Sequence, residues 1–420
     1  MENKIDIPES LEKLANKLKT KGELFVVGGY VRNAILGIYG TDIDLCSKLT
    51  PDELKLALKN TDFVVKDKNK KLGTVTIEVG DEVFEHTTFR SEQYEQGGKH
   101  SPVIVSFVDD IREDAKRRDF TINSIYYSIT KRKIIDIYSG LYDLEQKRIK
   151  TIETPDYVFG SDGLRILRMI RLACELDFSI EKQTFLTAKK MAYHLQDISG
   201  TRKQKELLAI LDCETKYSVS KKNAHIRALM LFNKMQLWTS FYSSVSKIKL
   251  SMIKKVNASY LPALIIDMIN SIDPDCVEYY LQYMLGAKGF SFSEKQRDYL
   301  INIVCGYFDA LNKLNNKNYF FKYYDSFEKI GEFLSKKSRI LFNKYNFFYK
   351  YIQNYHIPIR VKDLAVDGET IMKLKPKMPQ KYIGVLLKEL LDKVFTNEIE
   401  NTKDDLCKEI KAYDYKSSKN

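Results

Sequence analysis

Residues 25–45 read FVVGGYVRNAILGIYGTDIDL, and this stretch decides the fold. The apolar run Phe25–Val27 enters Gly28-Gly29. A short helical pattern then carries Arg32 and stops at Gly37, and a second strand, TDIDLC, carries Asp42 and Asp44. A strand that turns through two glycines into a helix leaves backbone N–H groups open to a phosphate, with no Cβ in the way. Arg32, one turn into that helix, adds a charge-assisted fork to the same phosphate. Two apart in a strand, Asp42 and Asp44 share one face, about 7 Å apart at Cα, while Ile43 and Leu45 point into the core. Two carboxylates so placed suit a pair of Mg2+ ions about 4 Å apart, the spacing used in nucleotidyl transfer. A dinucleotide fold needs G-x-G-x-x-G, which GGYVRNAILG does not supply, and an EF-hand needs a glycine and a distal glutamate that are absent. An isolated Asp-x-Asp can also be a solvated strand end. Joined to the Gly-Gly-Arg element, it reads as half of a phosphate-and-metal site.

The chain has 420 residues, 44% of them apolar and 30% charged, which suits two to four domains. No run of eighteen apolar residues predicts a membrane span, and the N-terminal MENKIDIPES has no apolar signal region. Six scattered cysteines without a C-x-x-C pair argue against a zinc site or a disulfide framework and fit a reducing cytoplasm. A net charge of +12 and a pI near 9.0 favour a polyanionic partner, most simply nucleic acid.

Strand and helix patterns mix up to about Tyr138, an α+β arrangement. GTVTIEV and EVFEHTTFR alternate as a hairpin with Gly80-Asp81 at its turn. Glu85, mid-strand, is the candidate third carboxylate of the acidic pair; a solvated strand glutamate is the alternative. After Arg90, SEQYEQGGKHSP has no apolar periodicity and reads as a mobile loop. From Pro155 onward the pattern is helical, as in SDGLRILRMIRLACEL, RKQKELLAILD and LPALIIDMIN. Later, NKLNNKNYFFKYYDSF and LFNKYNFFYKYIQNYH interleave Lys, Asn, Tyr and Phe, either as aromatic helix packing or as a basic stacking surface for RNA.

In DGLRILRMIRLA, Asp162, Arg165, Arg168 and Arg171 follow at i+3 steps, with Ile166, Leu167, Ile170 and Ala173 on one apolar face. A solvated helix face with one Asp162–Arg165 ion pair is one reading. A base reader is the other. A carboxylate acceptor beside a guanidinium donor complements the amine-and-ring-nitrogen edge of cytosine or adenine and opposes uracil and guanine.

GGYVRNAILG…TDIDL, RRDFTINSIYY and DGLRILRMIRLACELDF resemble three successive motifs of the bacterial-type (class II) tRNA nucleotidyltransferases, a family of CCA-adding enzymes and poly(A) polymerases with a DNA polymerase beta-like head. The motifs span roughly residues 20–205, and VKDLAVDGETIMKL…YIGVLLKELLDKV resembles the family's tail more weakly. The resemblance implies a head with a mixed five-stranded sheet and helices at 1–138. It then implies an all-α neck at 139–210, a body at 211–320 and a tRNA-binding tail at 321–420. It implies template-independent addition of CCA to the tRNA 3′ end from CTP and ATP, with Mg2+ on Asp42 and Asp44. Gly28, Gly29 and Arg32 fall at triphosphate positions, and Arg118, Asp119 and Asn123 at nucleotide-site positions. Asp162 and Arg165 become the template, with Arg168 and Arg171 beside them, and Arg90 opens the flexible element that helps switch from C to A.

Four positions depart from the family pattern: Asn33 for Asp, Thr41 for Lys or Gly, Ser161 for Glu and Thr201 for Glu. CC-only, A-only and poly(A) addition are the neighbouring outputs, and a catalytically silent RNA-binding scaffold is the rival from another class. No histidine here is followed by aspartate, so a fused HD phosphohydrolase motif is absent.

Overall fold

The computed structural model describes residues 5–38, 40, 42–94, 102–241, 247–251, 253, 260–269, 281, 285–286, 290–312, 358, 360–395 and 398–414. The chain divides into two compact units, Met1–Leu250 with Asp267–Ser293 and Ser251–Ile266 with Glu294–Asn420.

The first unit opens with α1 (Glu9–Leu18), β1 (Phe25–Val27), α2 (Gly29–Ile35), β2 (Asp44–Ser47) and α3 (Pro51–Ala57). Strands β3 (Val64–Asn69), β4 (Thr74–Val79), β5 (Glu82–Thr88), β6 (Arg90–Gln93) and β7 (Ile104–Phe107) follow. After α4 (Ile111–Lys116) come β8 (Ile125–Ser128) and β9 (Lys133–Asp136). The main sheet has the order β3-β4-β5-β2-β1-β8-β9, with β2 and β5 parallel and the other neighbours antiparallel. It therefore carries seven strands, two more than the five implied by the family resemblance. The two edge strands are weakly marked in the sequence: β3 is almost wholly exposed and β9 is mostly half-buried, so neither has the apolar alternation that announces a strand.

β1 lies inside the sheet with all three residues buried, which is why it reads as an unbroken apolar run. Gly28 ends it at φ +78°, a left-handed conformation that favours glycine, and α2 starts at once. Gly37 closes the helical segment at φ +70°. The β4–β5 hairpin turns at Gly80 and Asp81 as the sequence predicts. The second strand starts at Asp44, so Asp42 stands just before it. The alternation survives, with Ile43 and Leu45 buried and both aspartates exposed. Part of the expected loop after Arg90 is regular: β6 and β7 pair as an antiparallel ribbon, and residues 95–101 lie outside the described residues.

Helices follow as α5 (Gly140–Glu145), α6 (Pro155–Ser161), α7 (Leu164–Glu175), α8 (Lys182–Lys190), α9 (Gly200–Leu211), α10 (Cys213–Lys216) and α11 (Ala224–Met235), with a two-stranded pair, β10 (Arg148–Ile149) and β11 (Ser179–Ile180). The helix predicted to begin near Asp162 is α7, which starts at Leu164; α6 precedes it, and the two meet at a corner made by Asp162 and Gly163. Trp238 is fully buried among Phe232 and Phe241, and Phe241 packs on Phe290 at 5.0 Å between ring centroids.

Helix α12 (Tyr260–Ile269) comes next in the chain. In the second unit, α13 (Glu294–Asn312), α14 (Gly368–Leu374), α15 (Gln380–Phe395) and α16 (Lys403–Ala412) are described, and Ile371, Leu386, Leu390, Leu406 and Ile410 form a core for the last three. The Lys- and Tyr-rich stretch at 313–356 lies outside the described residues. Among the described residues no helix is long and apolar enough to cross a membrane.

Candidate active site

A cleft of about 910 Å³ opens in the first unit, and every candidate site residue named above lines it. They arrive from five places: the β1–α2 turn, the β2–β5 edge, the start of β6, the segment after α4, and α7 with the α6–α7 corner.

The β1–α2 turn supplies Gly28, Gly29 and Arg32. A Cβ on Gly29 would stand 3.7 Å from Arg32 Nη2, and one on Gly28 would stand 3.8 Å from Arg118 Nη1. Two guanidinium groups therefore flank an open stretch of backbone, as an anion cradle requires. Arg32 is only 3% exposed. Its Nε and Nη2 donate to Asn33 Oδ1 at 3.1 and 2.9 Å, and its Nη1 donates to Asn123 Oδ1 at 2.5 Å. Burial lowers its pKa from the ordinary arginine value.

Asp44 and Glu85 are register partners on the parallel β2–β5 pair, and Asp42 completes the acidic wall. Asp44 is solvent-accessible, yet the protein atoms enclosing it in the cleft desolvate and raise its carboxyl; Arg118 opposes that, and Glu85 and Asp42 raise it further. Lys68 ion-pairs with Glu85, so that carboxylate is already countered. Among the described residues no group of three or more His, Cys, Asp or Glu is disposed to hold a metal alone. The fit is that of a hard divalent cation, which takes one or two carboxylates from protein and the rest of its oxygens from substrate phosphates and water. Asp42 and Asp44 are the residues that can hold it.

The RRDFTIN segment supplies Arg118, Asp119 and Asn123. Asp119 accepts from the Phe120 N–H at 2.8 Å, from Asn123 Nδ2 at 3.0 Å and from Arg168 Nε at 2.8 Å. Burial would raise this carboxyl, but Arg168, Asn123 and Arg165 together hold it well below the usual range. One hydrogen-bonded chain therefore runs Arg168–Asp119–Asn123–Arg32, from α7 to the phosphate cradle.

At the α6–α7 corner, Asp162 and Arg165 both face the cleft, yet no ion pair joins them among the described residues. Asp162 Oδ1 accepts from the Leu164 N–H at 3.0 Å and Oδ2 from Arg202 Nη2 at 3.3 Å. Arg165, 7% exposed, donates to Ser161 Oγ at 2.9 Å, to the Val158 carbonyl at 3.3 Å and to the Arg117 carbonyl at 2.5 Å. The face opposite the apolar stripe of α7 is thus not a solvated face with an i,i+3 pair; it closes on the cleft. Arg171 lines the cleft with its charge spent, clamped by Glu175 at 3.0 Å and Glu206 at 2.8 Å. Arg90 donates to Glu92 Oε1 at 2.6 Å and to the Leu72 carbonyl at 2.5 Å.

The sequence reading missed Asp114, the fully buried anchor of Arg117 and Arg118, along with Glu92, Tyr94, Arg202, Lys205 and Tyr217 at the cleft. Asp114 carried one available signal: it lies three and four residues before two adjacent arginines on a helix pattern.

Residues 24–150 match the model of the poly A polymerase head domain. Among curated relatives, the CCA-adding enzyme of Streptococcus mutans is 40% identical over 187 residues, 44% of this chain and 45% of that protein. That of Ligilactobacillus salivarius is 35% identical over 210 residues, 49% of this chain and 50% of that protein. These alignments span about half of each relative. The CCA-adding enzyme of Staphylococcus haemolyticus aligns at 28% identity over 416 residues, 95% of this chain and 96% of that protein. The crystal structure of the Bacillus stearothermophilus CCA-adding enzyme with CTP shares the fold, at a TM-score of 0.65 and 20% identity over 95% of both chains. The Thermotoga maritima CCA-adding enzyme complexed with tRNA superposes with a TM-score of 0.63 at 20% identity, over 98% of this chain and 97% of that one. Residues 24–150 thus match a poly A polymerase head domain, and over almost its whole length the chain is similar to CCA-adding enzymes.

Proposed function

We propose that this protein adds CCA to the 3′ end of tRNA, taking CTP twice and then ATP without a nucleic-acid template. The observation that supports this most is the convergence in one cleft of an anion cradle, a carboxylate pair and a base-reading corner that lie far apart in the chain. Its similarity to CCA-adding enzymes supports the same reading.

In this reading the backbone at Gly28 and Gly29, with Arg32 and Arg118, holds the triphosphate. Asp162 and Arg165 read the base: the carboxylate accepts from the exocyclic amine, and the guanidinium donates to the ring nitrogen beside it. Uracil and guanine reverse that pattern and leave buried polar groups unpaired, which is the basis of the rejection. Asp119 and Asn123 act between the two halves, holding Arg168 and Arg32 in place. The tRNA 3′-hydroxyl attacks the α-phosphate in line; the new P–O bond forms as the bond to pyrophosphate breaks. The family carries a divalent-metal dependence. Here Asp42 and Asp44 would hold Mg2+, which supplies charge stabilisation at the α-phosphate and the leaving pyrophosphate. Glu85 stands beside them as the third carboxylate of the wall. We assign the head to 1–138, the neck to 139–210, the body to 211–320 and the tail to 321–420. The positive net charge suits a partner held mainly by its phosphates, and the cytoplasm is the proposed location.

The test is extension of a tRNA transcript lacking its last three nucleotides, with Mg2+ and each NTP singly and together, followed by sequencing of the product ends. Two Cs and one A, then a stop, is the expected result. A halt after CC, A addition only to ends already carrying CC, or an open-ended A tail would replace the proposal with the corresponding narrower activity. No extension alongside tRNA binding would replace it with a silent scaffold.

A further inference from the structure

Among the described residues eight arginines line the cleft, and six of them are matched to carboxylates: Arg90 to Glu92, Arg117 and Arg118 to Asp114, Arg168 to Asp119, Arg171 to Glu175 and Glu206, and Arg202 to Asp162. Arg32 and Arg165 are the other two. Neither has an ion-pair partner among the described residues, although both are more than nine-tenths buried. A buried guanidinium with no carboxylate in contact is costly unless its N–H groups are satisfied, and here neutral acceptors satisfy them. Asn33 takes two of the Arg32 donors and Asn123 a third. Arginine only donates, so the atom facing it must in each case be the amide oxygen. Ser161 does the corresponding work for Arg165: its hydroxyl donates to the Val158 carbonyl at 3.0 Å and accepts from Arg165 Nη1 at 2.9 Å.

We infer that Asn33 and Ser161 are positioning residues that fix Arg32 and Arg165 through neutral acceptors, so that the charge of Arg32 stays available to the triphosphate and that of Arg165 to the base. These are two of the three positions at which the sequence departs from a carboxylate in the pattern it resembles. A carboxylate at either would hold the guanidinium as well, and would also cancel it. The inference rests on the nucleotide-binding reading of the cleft and adds to it the source of the unspent charge.

The test keeps the shape and changes the charge. Asn33→Asp preserves the acceptor oxygen and side-chain size while placing a carboxylate at the 2.9–3.1 Å contacts with Arg32. The expected result is a rise of about tenfold in KM for both CTP and ATP, equivalent to about 1.4 kcal/mol, with KM for tRNA unchanged. Inhibition by inorganic tripolyphosphate should weaken by a similar factor. A merely structural role predicts no such split, since the hydrogen bonds persist. Ser161→Ala is the companion: it frees one Arg165 donor and should lower CTP-over-UTP discrimination at least fivefold while leaving tripolyphosphate inhibition unchanged. KM values for Asn33→Asp within twofold of wild type, in protein that melts like wild type, would overturn the inference. Wild-type protein is assayed alongside: if it binds neither CTP nor ATP, the nucleotide-binding reading itself fails. If it binds both and Asn33→Asp matches it, only this inference fails.

Discussion

Asp114→Asn is the sharpest test of how the cleft is held together. Asp114 is completely buried and accepts from Arg117 Nε at 2.8 Å, Arg118 Nη2 at 3.0 Å and the Tyr126 hydroxyl at 2.8 Å. Burial alone would raise its carboxyl, but the two arginines outweigh it and hold the pKa at about 2 against an ordinary 3.8. That difference corresponds to about 2.4 kcal/mol of folding stability. Because the folded value is depressed, the contribution is complete above pH 3.8 and is lost as pH falls through about 2. Roughly half of it is gone by pH 3. The asparagine keeps the shape, removes the charge and turns an NH2 toward a donor-only arginine N–H. The expected loss is about 3 kcal/mol at pH 7. Urea unfolding followed by circular dichroism at pH 7, 5, 4 and 3 measures it. The gap between wild type and variant should be constant from pH 7 to 5 and narrow by roughly 1 kcal/mol at pH 3. A gap below about 1 kcal/mol at pH 7, or one that does not narrow in acid, would refute this account of Asp114.

Three further outcomes follow. Asp42→Ala should abolish nucleotide addition while tRNA affinity by fluorescence anisotropy stays within about twofold of wild type; residual addition above a few per cent would remove the metal role. Asp119→Asn breaks the link to Arg168, a partner that remains partly solvated, so a stability loss of about 1–2 kcal/mol is expected, with a raised KM for both nucleotides. Gly163→Ala would place a Cβ 2.8 Å from the His194 carbonyl oxygen, so the α6–α7 corner must shift, at a cost of about 1–3 kcal/mol by urea unfolding and with weakened C/A selection.

Local signals carried much of the site. Phe25–Val27, Gly28 and Gly37 announce strand, turn and helix end because burial and positive φ each demand particular residue types. The alternation around Asp42 and Asp44 survives even though Asp42 lies outside the strand. What stayed hidden is what depends on distant pairing. β8 joins β1 by matching Phe25 with Ser128, and the polar edge strand β3 has almost no burial to mark it. The corner that sets α6 against α7 rests on the close approach of Gly163 to His194, of which the i+3 pattern marking α7 from Asp162 onward says nothing. Asp162 reads as the natural partner of Arg165, yet its charge goes to Arg202, forty residues on. The sequence shows which arginines are present, but which of them keep an unspent charge depends on the fold.

The central claim is selection of C and A by protein side chains, and its most direct measurement is a ratio. On a tRNA transcript lacking its last three nucleotides, kcat/KM is determined for CTP and for UTP with wild type and with Arg165→Ala. The account predicts a wild-type preference for CTP of at least about 10³, falling at least about a hundredfold in the variant while tRNA affinity is retained. An unchanged ratio in a variant that still extends tRNA would contradict it.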